Sequence, residues 1–429
     1  MGACARHRAE PSGKGLGVLA YTIGVVLFAL GICVSIALHE AGHMWTAKKF
    51  GMQVRRYFVG FGPTLFSFRR GETEYGVKAV PLGGFCDIAG MTALDEVKPE
   101  EAKRAMWRYP VWKRTVVLAA GSGMHFLIGF LVLLVMAGSL GLPNLDGDPK
   151  VQAVSECVRD VQDREQLAEF DEQACGPGDP APAKEAGLRS GDVITAVDGE
   201  PVADIGETTS LVQEREGPTP ITVDRDGTTV ETVVDVERIQ RPNLDEAAVE
   251  EGAPETVTVG MIGVGFAQYL QYSAVEAAPA TVMFTGDMFH RTWNALLRLP
   301  ERIPLVVESI FGAERDPNTP VSVVGASRLG GETVQQGMWE VFFLLLASLN
   351  FFVGIFNLLP LLPLDGGHIA VTWYERARDW LRKLRGKAAG GPVDYSKLSA
   401  VTMVVIIIGG GFVLLTVTAD IVNPIRLTD

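Results

Sequence analysis

The sequence predicts a polytopic α-helical membrane protein with four transmembrane helices, a membrane-associated β-hairpin and one inserted α+β domain. Three observations carry that prediction. Four stretches free of charged side chains, Leu16–Leu38, Thr115–Leu145, Val341–Leu364 and Leu398–Ala419, are each long enough to cross a bilayer. The chain is 429 residues long, enough for two or three domains, and its net charge of −13 is unevenly spread. The long segment between the second and third apolar stretches has the composition and turn chemistry of a soluble domain.

Arg6, Arg8 and Lys14 precede the first span as they would a signal peptide. The apolar run is too long for one and no small-residue cleavage site follows, so the span is expected to be retained. It ends in His39-Glu40-Ala41-Gly42-His43. On a helix, positions i and i+4 share a face, so both imidazoles can bind one Zn²⁺ with Glu40 beside them as general base. The bland alternative is a chance match in a surface helix. Ionisable groups at the end of a membrane helix are costly, which favours function.

The loop Met44–Arg114 holds 13 Lys/Arg against 7 Asp/Glu. Within it Leu65-Phe66-Ser67-Phe68 and Tyr75–Val80 read as strands about the turn Arg69-Arg70-Gly71-Glu72, leading to Pro81-Leu82-Gly83-Gly84-Phe85. An open strand edge cannot face lipid, so such a hairpin would either line an enclosed, watery cavity or be an ordinary cytoplasmic hairpin. Ile369–Lys397 carries 7 basic residues against 3 acids, whereas Asp146–Gly337 carries 14 against 35. The positive-inside rule then places both basic loops in the cytoplasm and the acidic segment and both termini outside. The three basic residues before the first span argue the other way and are outweighed. The acidic balance leaves no nucleic-acid footprint.

Within the acidic segment, Glu185–Val202 reads as loop, strand, Asp198-Gly199 turn and strand, followed by a helical stretch at Ile205–Arg215. A hairpin of Pro220–Val223 and Thr229–Val236 turns at Asp226-Gly227. Gln240–Glu255 reads as an acidic linker and Val257–Val264 as a strand. Ala280–Leu299 reads as an amphipathic helix that lies on the membrane or packs on the spans rather than crossing. The expected organisation is a first membrane half at 1–145, the inserted domain at 146–265, the membrane-surface segment at 266–340 and a second membrane half at 341–429. Cys157 and Cys175 both fall in the outside segment, where a disulfide can persist; they are either two free thiols or, as we hypothesise, bridged, with Cys33 and Cys86 reduced.

A catalytic zinc usually takes three protein ligands, and the third span closes on Asn357-Leu358-Leu359-Pro360-Leu361-Leu362-Pro363-Leu364-Asp365-Gly366-Gly367-His368. Asp365 is expected at the end of that apolar helix, on the same side as His39 and His43 by the charge counts alone. His368 is the competing ligand.

These residues also carry a resemblance. H-E-x-x-H at the end of a first span with N-x-x-P…L-D-G on a later one resembles the site-2 protease family of intramembrane zinc metalloproteases. Glu74-Tyr75…Pro81-Leu82-Gly83-Gly84-Phe85 and Pro110-Val111-Trp112-Lys113-Arg114 look like that family's first loop, and Gly187-Leu188…Gly191-Asp192-Val193-Ile194…Val197-Asp198-Gly199 resembles a PDZ domain. A PDZ-like insertion marks the bacterial subgroup that cuts anti-sigma factors. The resemblance implies a zinc endopeptidase in the bacterial plasma membrane, acting on a single-span protein already cut once outside. Zn²⁺ would be held by His39, His43 and Asp365, with Glu40 catalytic. Asn357 and Pro360, with the hairpin end at Gly83 and Gly84, would bind substrate, and the PDZ-like domain would bind a peptide C-terminus or exclude bulky ectodomains. The chain departs from the family in the second span, where His125 in Ala120-Gly121-Ser122-Gly123-Met124-His125 replaces an amide. His125 is then either a hydrogen-bonding residue between helices or a further contact at the metal. The competing functions are a metal-binding membrane transporter, an idle membrane-anchored PDZ scaffold, and a protease maturing a membrane-tethered pro-protein.

Overall fold

The computed structural model describes residues 13–92, 95–163, 175–243, 253–391 and 393–427. The chain divides into two compact units, Met1–Leu140 with Gln271–Asp429, and Gly141–Leu270.

In the first unit, α1 (Gly13–Lys49) is about 55 Å long at 1.5 Å per residue, longer than a bilayer core. It continues past the apolar run and carries the His39–His43 turn within it. β1 (Val54–Arg70) and β2 (Thr73–Ile88) are far longer than the short strands the pattern suggested. Their register explains why. Residues 56–59 pair with Asp87, Cys86, Phe85 and Gly84 on one side and with Glu74, Tyr75, Gly76 and Val77 on the other. The two strands therefore fold over into a curved sheet of four segments, with 84–88 at one edge. Tyr57 Oη donates to the Ala37 carbonyl at 2.7 Å, which pins this sheet to α1. α2 (Val111–Ser139) then runs back along α1, and Gly42 makes the close approach feasible, since a methyl there would lie 2.6 Å from the Ala120 carbonyl oxygen.

The second unit opens with β3 (Leu142–Pro143) and β4 (Val151–Val154), followed by the single turn α3 (Pro182–Glu185). β5 (Val193–Val197), β6 (Glu200–Pro201), α4 (Ile205–Glu214), β7 (Gly217–Arg225), β8 (Thr228–Pro242) and β9 (Thr256–Met261) build its body. β10 (Val264–Phe266) pairs with β4, and β11 (Tyr269–Leu270) pairs with β3. The main sheet is antiparallel in the order β6-β5-β7-β8-β9. Asp198 and Asp226 both adopt a φ of 52° ahead of left-handed glycines, the backbone that tight hairpin turns require. Val151, Leu188, Ile194, Val197, Ile221, Val223 and Val234 form the core. Asp204 caps α4 by accepting from the Glu207 N–H at 2.8 Å. Cys157 and Cys175 are disulfide-bonded, with Cα atoms 5.9 Å apart, while Cys33 and Cys86 are free thiols.

Back in the first unit, α5 (Ala277–Ile310) outruns the expected helix and passes through Pro300 and Pro304. The prolines are four apart, so their missing N–H groups fall on one face. α6 (Val323–Gln335) lies so close to α1 that a methyl on Gly24 would be 2.7 Å from the Gly330 carbonyl oxygen. α7 (Trp339–Asn357) packs on α2 and α5 through the ring cluster of Phe126, Phe289 and Phe351. α8 (Asp365–Leu384) and α9 (Tyr395–Val422) complete the unit. Buried Arg315 pairs with buried Asp420 at 2.9 Å, tying the α5–α6 connection to the end of α9. Among the described residues, four helices, at Leu16–Lys49, Val111–Ser139, Trp339–Asn357 and Leu398–Val422, are long and apolar enough to cross a membrane.

One expectation needs correction. The third span does not run to Leu364 with Asp365 at its end. The helix stops at Asn357, and Asp365 instead opens α8. Pro360 and Pro363 supply no N–H and disfavour helix in the residues before them, so the segment 358–364 is a turn between two helices.

Candidate metal centre

His39 and His43 lie one turn apart on the face of α1 that meets α2. Their rings sit edge to face, with centroids 4.7 Å apart. His43 Nδ1 lies 2.7 Å from the Val117 carbonyl oxygen, to which it can only donate. That bond places the proton on Nδ1 and leaves Nε2 as the electron-pair donor, the usual arrangement behind a metal-ligating imidazole. The two Nε2 atoms are 3.1 Å apart, and Asp365 Oδ2 lies 3.3 Å from each.

Asp365 reaches this point from the first turn of α8. The sharp return of the chain depends on the residues that follow it, because a methyl on Gly367 would fall 2.6 Å from the backbone of Leu361 and Leu362. Asp365 Oδ2 is buried and has no hydrogen-bond partner, as is His39 Nδ1. A carboxylate oxygen held dry against two imidazole nitrogens is costly unless a cation completes the group. A tetrahedral zinc with bonds of about 2.0–2.1 Å spaces its ligand atoms by about 3.3 Å, so this donor set fits zinc. His39, His43 and Asp365 form the potential metal-binding group among the described residues.

The cavity beside them has a volume of ≈ 180 Å³ and is lined by Glu40, Gly84, Phe85, Cys86, Val117 and Leu118 along with the three candidate ligands. Glu40 sits in this lining against the 84–88 edge of the sheet, beside Gly84 and Cys86. Gly84 is packed there without room for a side chain, since a methyl would lie 3.0 Å from Glu40 Cγ and 3.0 Å from the Phe58 carbonyl oxygen.

Other residues singled out from the sequence fall elsewhere. Gly83 holds a φ of 143° behind Phe61 and does not line the cavity. Asn357 is the half-buried last residue of α7 and Pro360 is exposed in the turn, also outside the cavity lining. His368 Nδ1 faces Tyr395 Oη at 3.4 Å and stands outside the metal-binding group. His125 donates from Nδ1 to Asn350 Oδ1 at 2.9 Å, a buried bond between α2 and α7. Its ring centroid is 5.0 Å from that of His39, and it too stands outside the group.

Sequence reading missed Gly121. A methyl there would lie 2.6 Å from His39 Cε1 and against the Nε2 atoms of both histidines. The small-residue run Ala119-Ala120-Gly121-Ser122-Gly123 was the available signal. Asn350 was missed as well, since only the helix register reveals its pairing with His125.

Peptidase family M50 matches residues 27–401. The zinc metalloprotease Rip1 of Mycobacterium bovis is 50% identical over 416 residues, covering 95% of this chain and 100% of that protein. Rip1 of Mycolicibacterium smegmatis is 49% identical with the same coverage. The metalloprotease MmpA of Caulobacter vibrioides is 28% identical, covering 85% of this chain and 89% of its own. The chain belongs to peptidase family M50 and is a zinc metalloprotease.

Proposed function

We propose that this M50 peptidase cleaves inside the transmembrane segment of a single-span membrane protein of the anti-sigma-factor kind, already cut once outside, and releases a cytoplasmic signalling fragment. The observation that carries the reading is the convergence of His39, His43 and Asp365 with Glu40 in one small cavity bordered by a strand edge.

His39, His43 and Asp365 would hold the zinc, which lowers the pKa of water towards about 7 and polarises a carbonyl. Glu40 would take a proton from the attacking water and return it to the leaving amine nitrogen. The Val117 carbonyl keeps the His43 ring in the ligating tautomer. A substrate helix hides its carbonyls in i→i−4 bonds, so it must unwind before attack. The 84–88 edge can pair with the extended segment beside Glu40, and Gly84 lets it approach. The Asn357 side-chain amide, without a hydrogen-bond partner among the described residues, would clamp the substrate backbone where α7 ends.

In this reading the basic loops and the metal centre face the cytoplasm, and the 141–270 unit and both termini lie outside the plasma membrane. The five-stranded sheet with α4, together with the Gly187–Gly199 sequence, supports a PDZ-like domain that takes a peptide C-terminus or excludes bulky ectodomains. α5, with Val282, Met283, Trp293 and Leu297 exposed, would lie on the bilayer surface.

The test compares Glu40→Gln with His43→Ala in purified enzyme and in cell membranes. Glu40→Gln keeps its zinc and loses cleavage by at least about a thousandfold, with single-span fragments accumulating, whereas His43→Ala loses both. Full cleavage by Glu40→Gln would end the reading.

A further inference from the structure

Beside the metal centre, with Met91 lining both, the first unit holds a wide groove of ≈ 1090 Å³ between the start of α2 and α8. We propose that this groove binds the phosphate of an anionic phospholipid. The inference needs the chain to span a membrane but does not rest on where or whether it cuts a substrate.

The charge balance of the groove comes first. Its carboxylates are already engaged. Asp95 accepts from Arg55 at 2.9 Å and from the Gly90 N–H at 2.5 Å. Glu375 accepts from the Val393 N–H at 2.8 Å and from Arg114 at 3.3 Å, and Asp379 accepts from the Gly390 N–H at 2.9 Å. The cations are not engaged to match. Arg376 lines the groove, is exposed and makes no ion pair among the described residues. Lys113 lies next to the lining residues Trp112 and Arg114 but outside the lining itself, over the rings of Phe50, Trp112 and Tyr109 at 5.3, 5.5 and 5.8 Å. Arg114 is 12% exposed in its side chain, and beyond its one contact with Glu375 its Nε–H is buried without a partner. What the lining leaves unpaired is therefore donors, the Arg376 guanidinium and the Arg114 Nε–H, and they call for an acceptor.

Helix geometry adds to it. α2 begins after Pro110 with no side-chain cap and no acid in its first turn. Lys113 and Arg114 stand where the macrodipole favours carboxylates; their N–H groups bond to the Pro110 carbonyl oxygen, so the positive helix end is presented by the N–H groups ahead of them, of Val111 and Trp112, together with the basic side chains. An anion completes such a terminus.

The rings around it identify the source of the anion. Trp107, Trp112 and Trp373 line the groove and are 44%, 55% and 52% exposed. Tryptophan in that state belongs at the headgroup level of a bilayer, where its ring is apolar and its N–H is wet. A soluble phosphate needs no such frame; a lipid headgroup with acyl chains along the adjoining spans does.

Purified full-length protein in phosphatidylcholine nanodiscs, titrated with brominated phosphatidylglycerol or brominated phosphatidylcholine, tests this by tryptophan quenching. Brominated phosphatidylglycerol should reach half-quenching at a clearly lower mole fraction. Arg376→Gln should weaken that preference about fivefold, and with Arg114→Gln about twenty-fivefold. Arg376 is exposed and unpaired, so the single variant still reports if the double variant misfolds. Equal midpoints for the two lipids, or an unchanged preference in Arg376→Gln, overturn the proposal. Relief of quenching by inorganic phosphate at constant ionic strength also overturns it, by marking a soluble-phosphate site.

Discussion

Two aspartates, buried Asp192 in one unit and half-buried Asp365 in the other, show how differently the same side chain can be held. In the 141–270 unit, Asp192 is 1% exposed and accepts from Arg225 Nε and Nη2, both at 2.7 Å, and from the Arg189 N–H at 2.9 Å. The Arg225 guanidinium holds its carboxyl below the usual range. In the membrane unit, Asp365 meets only imidazoles, and its Oδ2 is left without a hydrogen-bond partner. A carboxylate saturated by its own fold is structural. One left short of donors, among other electron-pair donors, is suited to a cation.

That contrast breaks most visibly at the metal. Asp365→Asn should lower zinc affinity by at least about a hundredfold, because an amide oxygen carries no charge to the group. His368→Ala should leave affinity unchanged. Metal competition on the purified protein checks both, and the reverse result would move the third-ligand role to His368. A smaller effect is expected from Gly121→Ala, whose methyl must push the imidazoles apart, at a loss of about tenfold. Gly123→Ala, two residues on, has nothing within 4 Å of its built Cβ and serves as the control. Equal zinc affinity in the two variants would show that the rings can yield and that Gly121 does not set the site.

The sequence exposed what depends on local spacing or on charge totals. His39 and His43 were legible because a helix puts i and i+4 on one face, and the four spans because a charge-free run is long. Asp365 was legible by side, since the two basic loops mark one end of the helices. What stayed hidden depends on register between distant segments. The short strands drawn from Leu65–Phe68 and Tyr75–Val80 gave no hint that 56–59 would be paired on both sides. The His125–Asn350 bond joins residues 225 positions apart, and Arg315–Asp420 joins residues 105 apart. The prolines near Asp365 were visible, yet an apolar run masked the helix break they cause.

The structural carboxylate should fail in a different currency from Asp365. Asp192→Asn should leave zinc binding untouched and lower the opening free energy of the β5–β7 region by about 2 kcal/mol, the cost of a broken pair whose arginine stays partly hydrated. Hydrogen exchange of the full-length protein reads this segment by segment. A loss spread into α1 or α2 would mean that the two aspartates are not independent.

The smallest effect expected is its pH dependence, where the sign is fixed by the direction of the shift. The folded pKa of Asp192 lies below its unfolded value of about 3.9, so the unfolded chain binds the proton more readily in acid. The contribution of the Asp192–Arg225 pair is therefore fully present above about pH 4 and is lost as the pH falls through the folded pKa. Asp192→Asn cannot titrate, so its opening free energy in β5 and β7 should lack that slope. The gap between wild type and variant, with exchange corrected for its intrinsic pH dependence, should stay constant from pH 7 to about pH 4 and close below it. A gap that widens in acid would mean that the folded unit binds the proton more tightly than the unfolded chain, and that Asp192 is not held by Arg225 in the way its bonds indicate.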